Sequence, residues 1–394
     1  MVAGYNADSG IEVSSVDSLR SLQYVTWVSA EESIQKTGVT KYEKGKAFEG
    51  INFYSSFNLQ EAFLMGMSGN ILHTWSKEIV GKNTWNCVKM CENGDLLVIE
   101  GHKVLARLDR DSNIIWKSRM NYHHDIRVAD NKDIYALSSK AKMTTLNWVP
   151  IPALDDHIVV LSPDGEIKKE ISLFNIIKDE IPSGAKWKIY RYLTDIKKIA
   201  EHYRAKTLDK WIITFSAHDI VHTNTIEILD KDIEGVCEKG SILFCSKNLD
   251  LIGIIDVDAE ELVWKWGPGH LDGPHRSTLL ENGNIMVFDN GFRRGYSRII
   301  ELNPKTGKII WEYKADPPEE FFSPTRGSNQ RLPNGNTLIT ESDRGRVFEI
   351  TRNGEIVWEF YNPEINKKEK TRAAIYRFMR MPAAPMNIEG VGQE

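Results

Sequence analysis

Three tryptophans, Trp264, Trp311 and Trp358, recur at a spacing of 47 residues, and each closes a segment of the same form. LLENGNIMVFDN leads to SRIIELNPKTGKIIWEY, and RLPNGNTLITES leads to GRVFEITRNGEIVWEF. Shorter copies end at Trp75 in SGNILHTW and at Trp116 in DSNIIW. Another copy, HIVVLSPDGEIKKE, keeps the turn but carries Lys169 in place of tryptophan. Within a copy the order is strand, Asn-Gly or Asp-Gly turn, strand, short turn, strand. Those dipeptides reach positive φ in tight hairpins, so each copy reads as an antiparallel meander. All-strand repeats of about 40 to 50 residues are the sequence signature of propeller blades.

Six such segments, at about 46–80, 81–120, 121–171, 218–267, 270–316 and 322–362, predict an all-β chain folded as a six-bladed β-propeller over residues 46–362. The segment INFYSS near residue 51 is expected to close the ring against the last blade. Residues 172–217 have helical rather than alternating periodicity and predict a helical insertion over one face. Within an N-terminal region 1–45, residues 10–36 read as a short helical arm, and residues 363–394 read as a basic C-terminal helix with a loose tail.

Composition removes several function classes. Hydrophobic residues make up 41% and charged residues 27% of the chain, the range of a globular protein with a sizeable core. A formal charge of −5 with no long basic run gives no footprint for nucleic acid or an anionic membrane surface. No stretch approaches the roughly 18 to 20 apolar residues of a membrane span. The opening MVAGYNADSG lacks a basic and an apolar signal region, so no export signal is expected in the chain as given, although a trimmed precursor would read the same. Cys87, Cys91, Cys237 and Cys245 have neither zinc nor redox spacing and are expected to be buried thiols. They leave the compartment open.

Aligning the segments on their first turn brings out a shared position. His124 precedes Asn131 by seven residues and His275 precedes Asn282 by seven, while His222 in AHDIVHTNTIEIL opens its own segment at the equivalent place. First strands of propeller blades line the central channel, so these three imidazoles are expected to converge there. A single channel histidine is ordinarily a hydrogen-bonded structural residue, but three in one register point to a site. His123, His157, His218 and His270 lack that register and are expected to be structural or peripheral. Three histidines also suit a zinc or copper ion, yet blades on different sides of a channel hold them too far apart for short metal–nitrogen bonds. No metal is expected. Tyr122, Trp85, Phe321 and Phe322 lie near segment starts, where they suit either the core or an aromatic ligand. No phosphate-cradling loop is present for a nucleotide donor.

YHHDI at 122–126, HTNTIEIL at 222–229 and PHRSTLLENGNIMVFDNG at 274–291 resemble the three histidine motifs of the arylsulfate sulfotransferases. GVTKYEKGKAFEG before the first segment and QRLPNGNTLITESDRGRVFEIT in the last extend the resemblance over nearly the whole chain. It implies a cofactor-independent enzyme that moves a sulfuryl group from a phenolic sulfate donor to a phenol acceptor through a sulfated histidine, in a ping-pong sequence outside the cytoplasm. Carried over by motif, His275 is the nucleophile, His222 and His124 are acid–base and orienting partners, and Asn224 contacts the sulfate oxygens. The family ordinarily has a serine–arginine pair on the strand after the second motif, where this chain has Ser246-Lys247. Lysine keeps the charge without the planar fork, so Lys247 is expected to meet sulfate as a point charge. Two other readings stay open: a non-catalytic propeller that binds a ligand or protein, and a metal-dependent propeller lyase or hydrolase.

Overall fold

Strands dominate the computed structural model, which describes residues 26–31, 33–81, 83–146, 149–181 and 219–382. A second sheet in chain order consists of β6 (Trp85–Met90), β7 (Leu96–Glu100), β8 (Val104–Leu108) and β9 (Ile114–Arg119). A third holds β10 (Tyr122–Val128), β11 (Ile134–Leu146), β12 (Val149–Leu161) and β13 (Ile167–Ser172). The fourth contains β14 (Thr223–Ile228), β15 (Ile242–Ser246), β16 (Leu251–Asp256) and β17 (Glu261–Trp266). In the fifth are β18 (His275–Leu279), β19 (Ile285–Asp289), β20 (Arg298–Asn303) and β21 (Lys308–Tyr313). The sixth has β22 (Ser328–Arg331), β23 (Thr337–Glu341), β24 (Arg346–Ile350) and β25 (Ile356–Tyr361), with β2 (Gly38–Tyr42) added at its outer edge.

The first sheet draws on both ends of the chain. Its order is β28 (Ile375–Pro382), β3 (Gly50–Ser56), β4 (Glu61–Met65), β5 (Ile71–Ser76). INFYSS, expected to close the ring against the last segment, is thus its second strand, and β28 takes the edge position beside it. The C-terminal segment is corrected accordingly: it holds the strands β26 (Ile365–Asn366), β27 (Thr371–Ala373) and β28, not a basic helix. Its cations misled because they are buried in ion pairs, Arg380 with Glu349 and Arg377 with Asp125, so positive charge did not mark a solvated face. At the other end β1 (Trp27–Ser29) pairs with β27 (Thr371–Ala373) where a helical arm was expected, and residues 10–25 lie outside the described residues. Of the expected insertion, only a one-turn helix, α1 (Leu173–Ile177), and a 3-10 turn are described; residues 182–218 lie outside.

Local chemistry explains the meanders. Asn93, Asn131, Asn282 and Asn334 each accept through Oδ1 the backbone N–H two residues on, at 3.0 to 3.3 Å. The residue between sits at positive φ, 82° to 86° for Gly94, Gly283 and Gly335, and 69° for Lys132.

The repeated tryptophans tie each sheet to the next. Indole N–H groups of Trp116, Trp264, Trp311 and Trp358 donate to Pro163, Pro304, Arg352 and Met67 carbonyls at 2.9 to 3.0 Å, each in an outer turn of the following sheet. Lys169, the exception in sequence, does the same work by donating to the Val257 carbonyl at 2.7 Å. In the first sheet His73 Nε2 meets Arg110 O of the second at 3.0 Å. Trp358 links the sixth sheet back to the first. Among the described residues the buried apolar side chains form six clusters, one between each neighbouring pair of sheets, the sixth and first included. The edge strands β28, β6, β10, β14, β18 and β22 touch in that order and return to β28.

Candidate active site

The histidines sit where the inner strands are deliberately irregular. In β10 the register shifts between Tyr122 and Ile126, with His124 at φ 58°. In β14 it shifts between Thr223 and Thr225, just after His222 at φ 47°, and in β18 between His275 and Thr278, with Arg276 at φ 43°. A bulge leaves one residue unpaired and re-aims its side chain. Non-glycine residues at such φ cost on the order of 1–3 kcal/mol, a strain that clusters at functional sites.

His124, His222 and His275 line one cavity, together with Asn86, His102, Thr325, Arg326, Phe57 and Tyr376. The His124 and His222 rings are edge to face, 4.9 Å between centroids. His275 is the most strictly oriented. Its Nδ1 lies 2.8 Å from Asn290 Oδ1 and 3.2 Å from Gly273 O, both acceptors, so Nδ1 carries the hydrogen. The Asn290 amide cannot be reversed, because its Nδ2 donates to the Ser323 and Arg326 carbonyls at 2.6 and 2.9 Å. Nε2 of His275 is therefore left as a bare lone pair. Burial, then the positive charge of Lys247, pushes this imidazole down to about 3, which keeps it neutral at any ordinary pH.

His222 has the opposite surroundings. Asp219 bonds to its Nδ1 and also accepts its backbone N–H at 3.1 Å. Burial favours a neutral Asp219, but His222 outweighs it and holds the carboxyl below its ordinary value. The carboxylate fixes the ring with Nδ1–H inward and leaves Nε2 to take or give a proton. His124 is held by His123, Nδ1 to Nδ1 at 2.8 Å. Burial resists charge on His123, yet Asp156, 3.3 Å from its Nε2, raises it above its usual value. Burial and then His123 push His124 well down. His123 thus donates, His124 accepts at Nδ1, and the Nε2–H of His124 becomes a donor.

The cavity wall also holds a guanidinium that the sequence reading missed. Arg326 is 3% exposed, bonded through Nε to Asp343 Oδ1 at 2.8 Å, and lies over the Phe57 ring at 5.3 Å. The signal was present: counting back seven residues from Asn93 gives Asn86, and from Asn334 gives Gly327, next to Arg326. Asp219 stands three residues before His222 in the sequence.

The remaining candidates lie elsewhere. Lys247 is half-buried beside the cavity, its backbone N–H on the His222 carbonyl at 3.1 Å. Asn224 is buried, with its amide on the Pro274 carbonyl at 2.9 Å and its oxygen accepting from Thr225 at 3.1 Å. Trp85, Tyr122 and Phe321 are core residues, while Phe57 and Tyr376 supply the aromatic wall. His270 stacks on Trp266 and His157 lies 3.0 Å from Asp155, both away from the cavity; His218 lies outside the described residues. All four cysteines are free thiols. Among the described residues no helix is long and apolar enough to cross a membrane.

A family described as Arylsulfotransferase (ASST) matches residues 88–363, more than half of the chain. The dehydrogenase subunits of alcohol dehydrogenase (quinone) from Komagataeibacter europaeus and Gluconacetobacter polyoxogenes are each 23% identical over 154 residues, 34% of this chain and 20% of theirs. The chain spans about a fifth of the length of the curated relatives it matches. Among solved structures, a protein of unknown function from Bacteroides caccae aligns at a TM-score of 0.54 and 13% identity, covering 85% of this chain and 99% of that one. A streptogramin B lyase aligns at 0.48 and 14%, covering 90% and 97%. The Bacteroides likeness bears on the fold alone.

Proposed function

Since the chain belongs to the arylsulfotransferase (ASST) family, we propose that it transfers a sulfuryl group from an aryl sulfate to a phenol through a sulfated His275. The observation that carries the reading is the orientation of His275: a neutral imidazole whose Nδ1–H is doubly held and whose Nε2 lone pair remains for attack. We further read the six sheets as the blades of one propeller. Their cyclic order of inner-strand contacts and of tryptophan links supports this, with β28 extending it past residue 362 to residue 382.

In the first half-reaction Nε2 of His275 forms a bond to sulfur as the bond from sulfur to the phenolic oxygen breaks. The departing phenolate takes a proton from His222, whose Asp219 partner stabilises the imidazolium before transfer. In the second, His222 removes the proton of the acceptor phenol as its oxygen attacks sulfur and His275 departs as neutral imidazole. Sulfuryl transfer spreads negative charge over peripheral oxygens in a loose transition state, so positioned donors do most of the work. Arg326 and the Nε2–H of His124 are suited to that task. Lys247 acts mainly through its charge, and Asn224 by holding the strand segment that precedes His275. Phe57 and Tyr376 offer aromatic surface to the phenyl ring. Family resemblance supports a reaction outside the cytoplasm.

The test is covalent trapping. With 4-nitrophenyl sulfate and no acceptor, a burst of one phenol per site and a mass gain of about 80 Da on the His275 peptide are expected, as for any ping-pong intermediate. His275→Asn should lose both. An adduct on another residue, or turnover by that variant, overturns the mechanism.

A further inference from the structure

The inner strands run on past the histidines, and Lys89, Arg127, Glu227 and Asp230 toward or beyond their other ends, with Arg276 directly after His275, line a second cavity. The two cavities have no lining residue in common: on β18, His275 faces the first and its neighbour Arg276 the second. We propose that this far cavity is a second anion site, built for a small doubly charged oxyanion such as inorganic sulfate. It stands whether or not His275 is the nucleophile.

The cations there outnumber what the protein gives them. Asp125 is one fully buried carboxylate facing three guanidiniums: Arg377 Nη1 at 2.5 Å, Arg127 Nη1 at 2.9 Å and Arg276 Nη1 at 3.8 Å. Its oxygens also accept the Ile126 and Ile226 backbone N–H groups at 2.9 and 3.1 Å. Arg127 and Arg276 are 9% and 8% exposed, yet Nη2 of Arg127 and Nη1 of Arg276 have no hydrogen-bond partner among the described residues. Leaving a buried charged donor unmet is costly, and both residues face the cavity. A tetrahedral oxyanion between them supplies the missing acceptors, and guanidinium is the group best matched to it.

The carboxylates that line the cavity do not cancel this charge. Asp230 is exposed at the rim. Glu227 Oε2 stands 3.9 Å from Arg127 Nη2, beyond hydrogen-bond reach, while its Oε1 accepts the Leu279 N–H at 2.9 Å. Burial pushes Glu227 up to about 7 against the pull of Arg127 and Lys89, with Asp125 adding to the rise. Lys89, from β6, is itself lowered by burial and by Arg127. A bound anion therefore favours protonated Glu227, and binding should weaken as pH rises through 7.

Calorimetric titration with sodium sulfate at constant ionic strength tests this, in the His275→Asn background so that the upper cavity loses its main group. Sulfate is the probe because its own charge is constant over the range. Expected are saturable binding, an affinity about tenfold weaker at pH 8 than at pH 6, a pH-independent affinity in Glu227→Gln, and at least a tenfold loss in Lys89→Met. Acetate should fail to compete. Absence of binding, an affinity untouched by both substitutions, or equal competition by acetate would each overturn the proposal. Should Lys89→Met fail to fold, the flat pH profile of Glu227→Gln decides alone.

Discussion

Replacing Asn290 isolates the orientation of His275 from its presence. Asn290→Ala removes the 2.8 Å acceptor of Nδ1–H and leaves only Gly273 O at 3.2 Å. One hydrogen bond is worth about 1 kcal/mol net, so the competing tautomer, with Nε2 protonated and unable to attack, gains about fivefold. The same change removes the amide donors that reach the Ser323 and Arg326 carbonyls at 2.6 and 2.9 Å, at about 1 kcal/mol each in stability, and leaves the Ser323 carbonyl with the Ser297 hydroxyl at 3.4 Å. The expected result is a burst rate about 5- to 20-fold slower, read by stopped-flow release of 4-nitrophenol, together with a lower melting temperature. Asn290→Asp separates position from packing. A carboxylate there favours the imidazolium and raises His275 from about 3, so the acid limb of the burst should move to higher pH. If Asn290→Ala bursts at the parent rate, or if Asn290→Asp leaves the acid limb in place, the tautomer argument is wrong.

Three further outcomes follow from the site. Because His275 stays neutral down to about 3, the burst with 4-nitrophenyl sulfate should show no acid limb from protonation of the nucleophile between pH 8 and pH 5. Stability should instead fall with acid: below 6.5 the unfolded chain binds a proton that folded His275 does not, which removes up to about 1.4 kcal/mol per pH unit until about pH 3, measurable by urea melts. Lys247→Ala should lower turnover by about 10²-fold while Lys247→Arg retains it, and full activity in the alanine variant would show that the charge is merely solvated.

The sequence carried the meanders and the three histidines because both are local properties. Turn chemistry at Asn93, Asn282 and Asn334 acts over two residues, and apolar alternation sets the face of each strand, so period and register could be read along the chain. Tertiary structure decided what depends on distant partners. β28 became a strand because Arg380 and Arg377 meet Glu349 and Asp125 from other sheets, whereas a linear reading sees only basic charge. Lys169 substitutes for tryptophan because a carbonyl in the next sheet lies within its reach. The roles of Asn290 and Arg326 and the protonation of His275 likewise depend on tertiary packing. A side chain's polarity is written in the sequence, but which nitrogen keeps its hydrogen depends on acceptors that arrive from residues tens to hundreds of positions away.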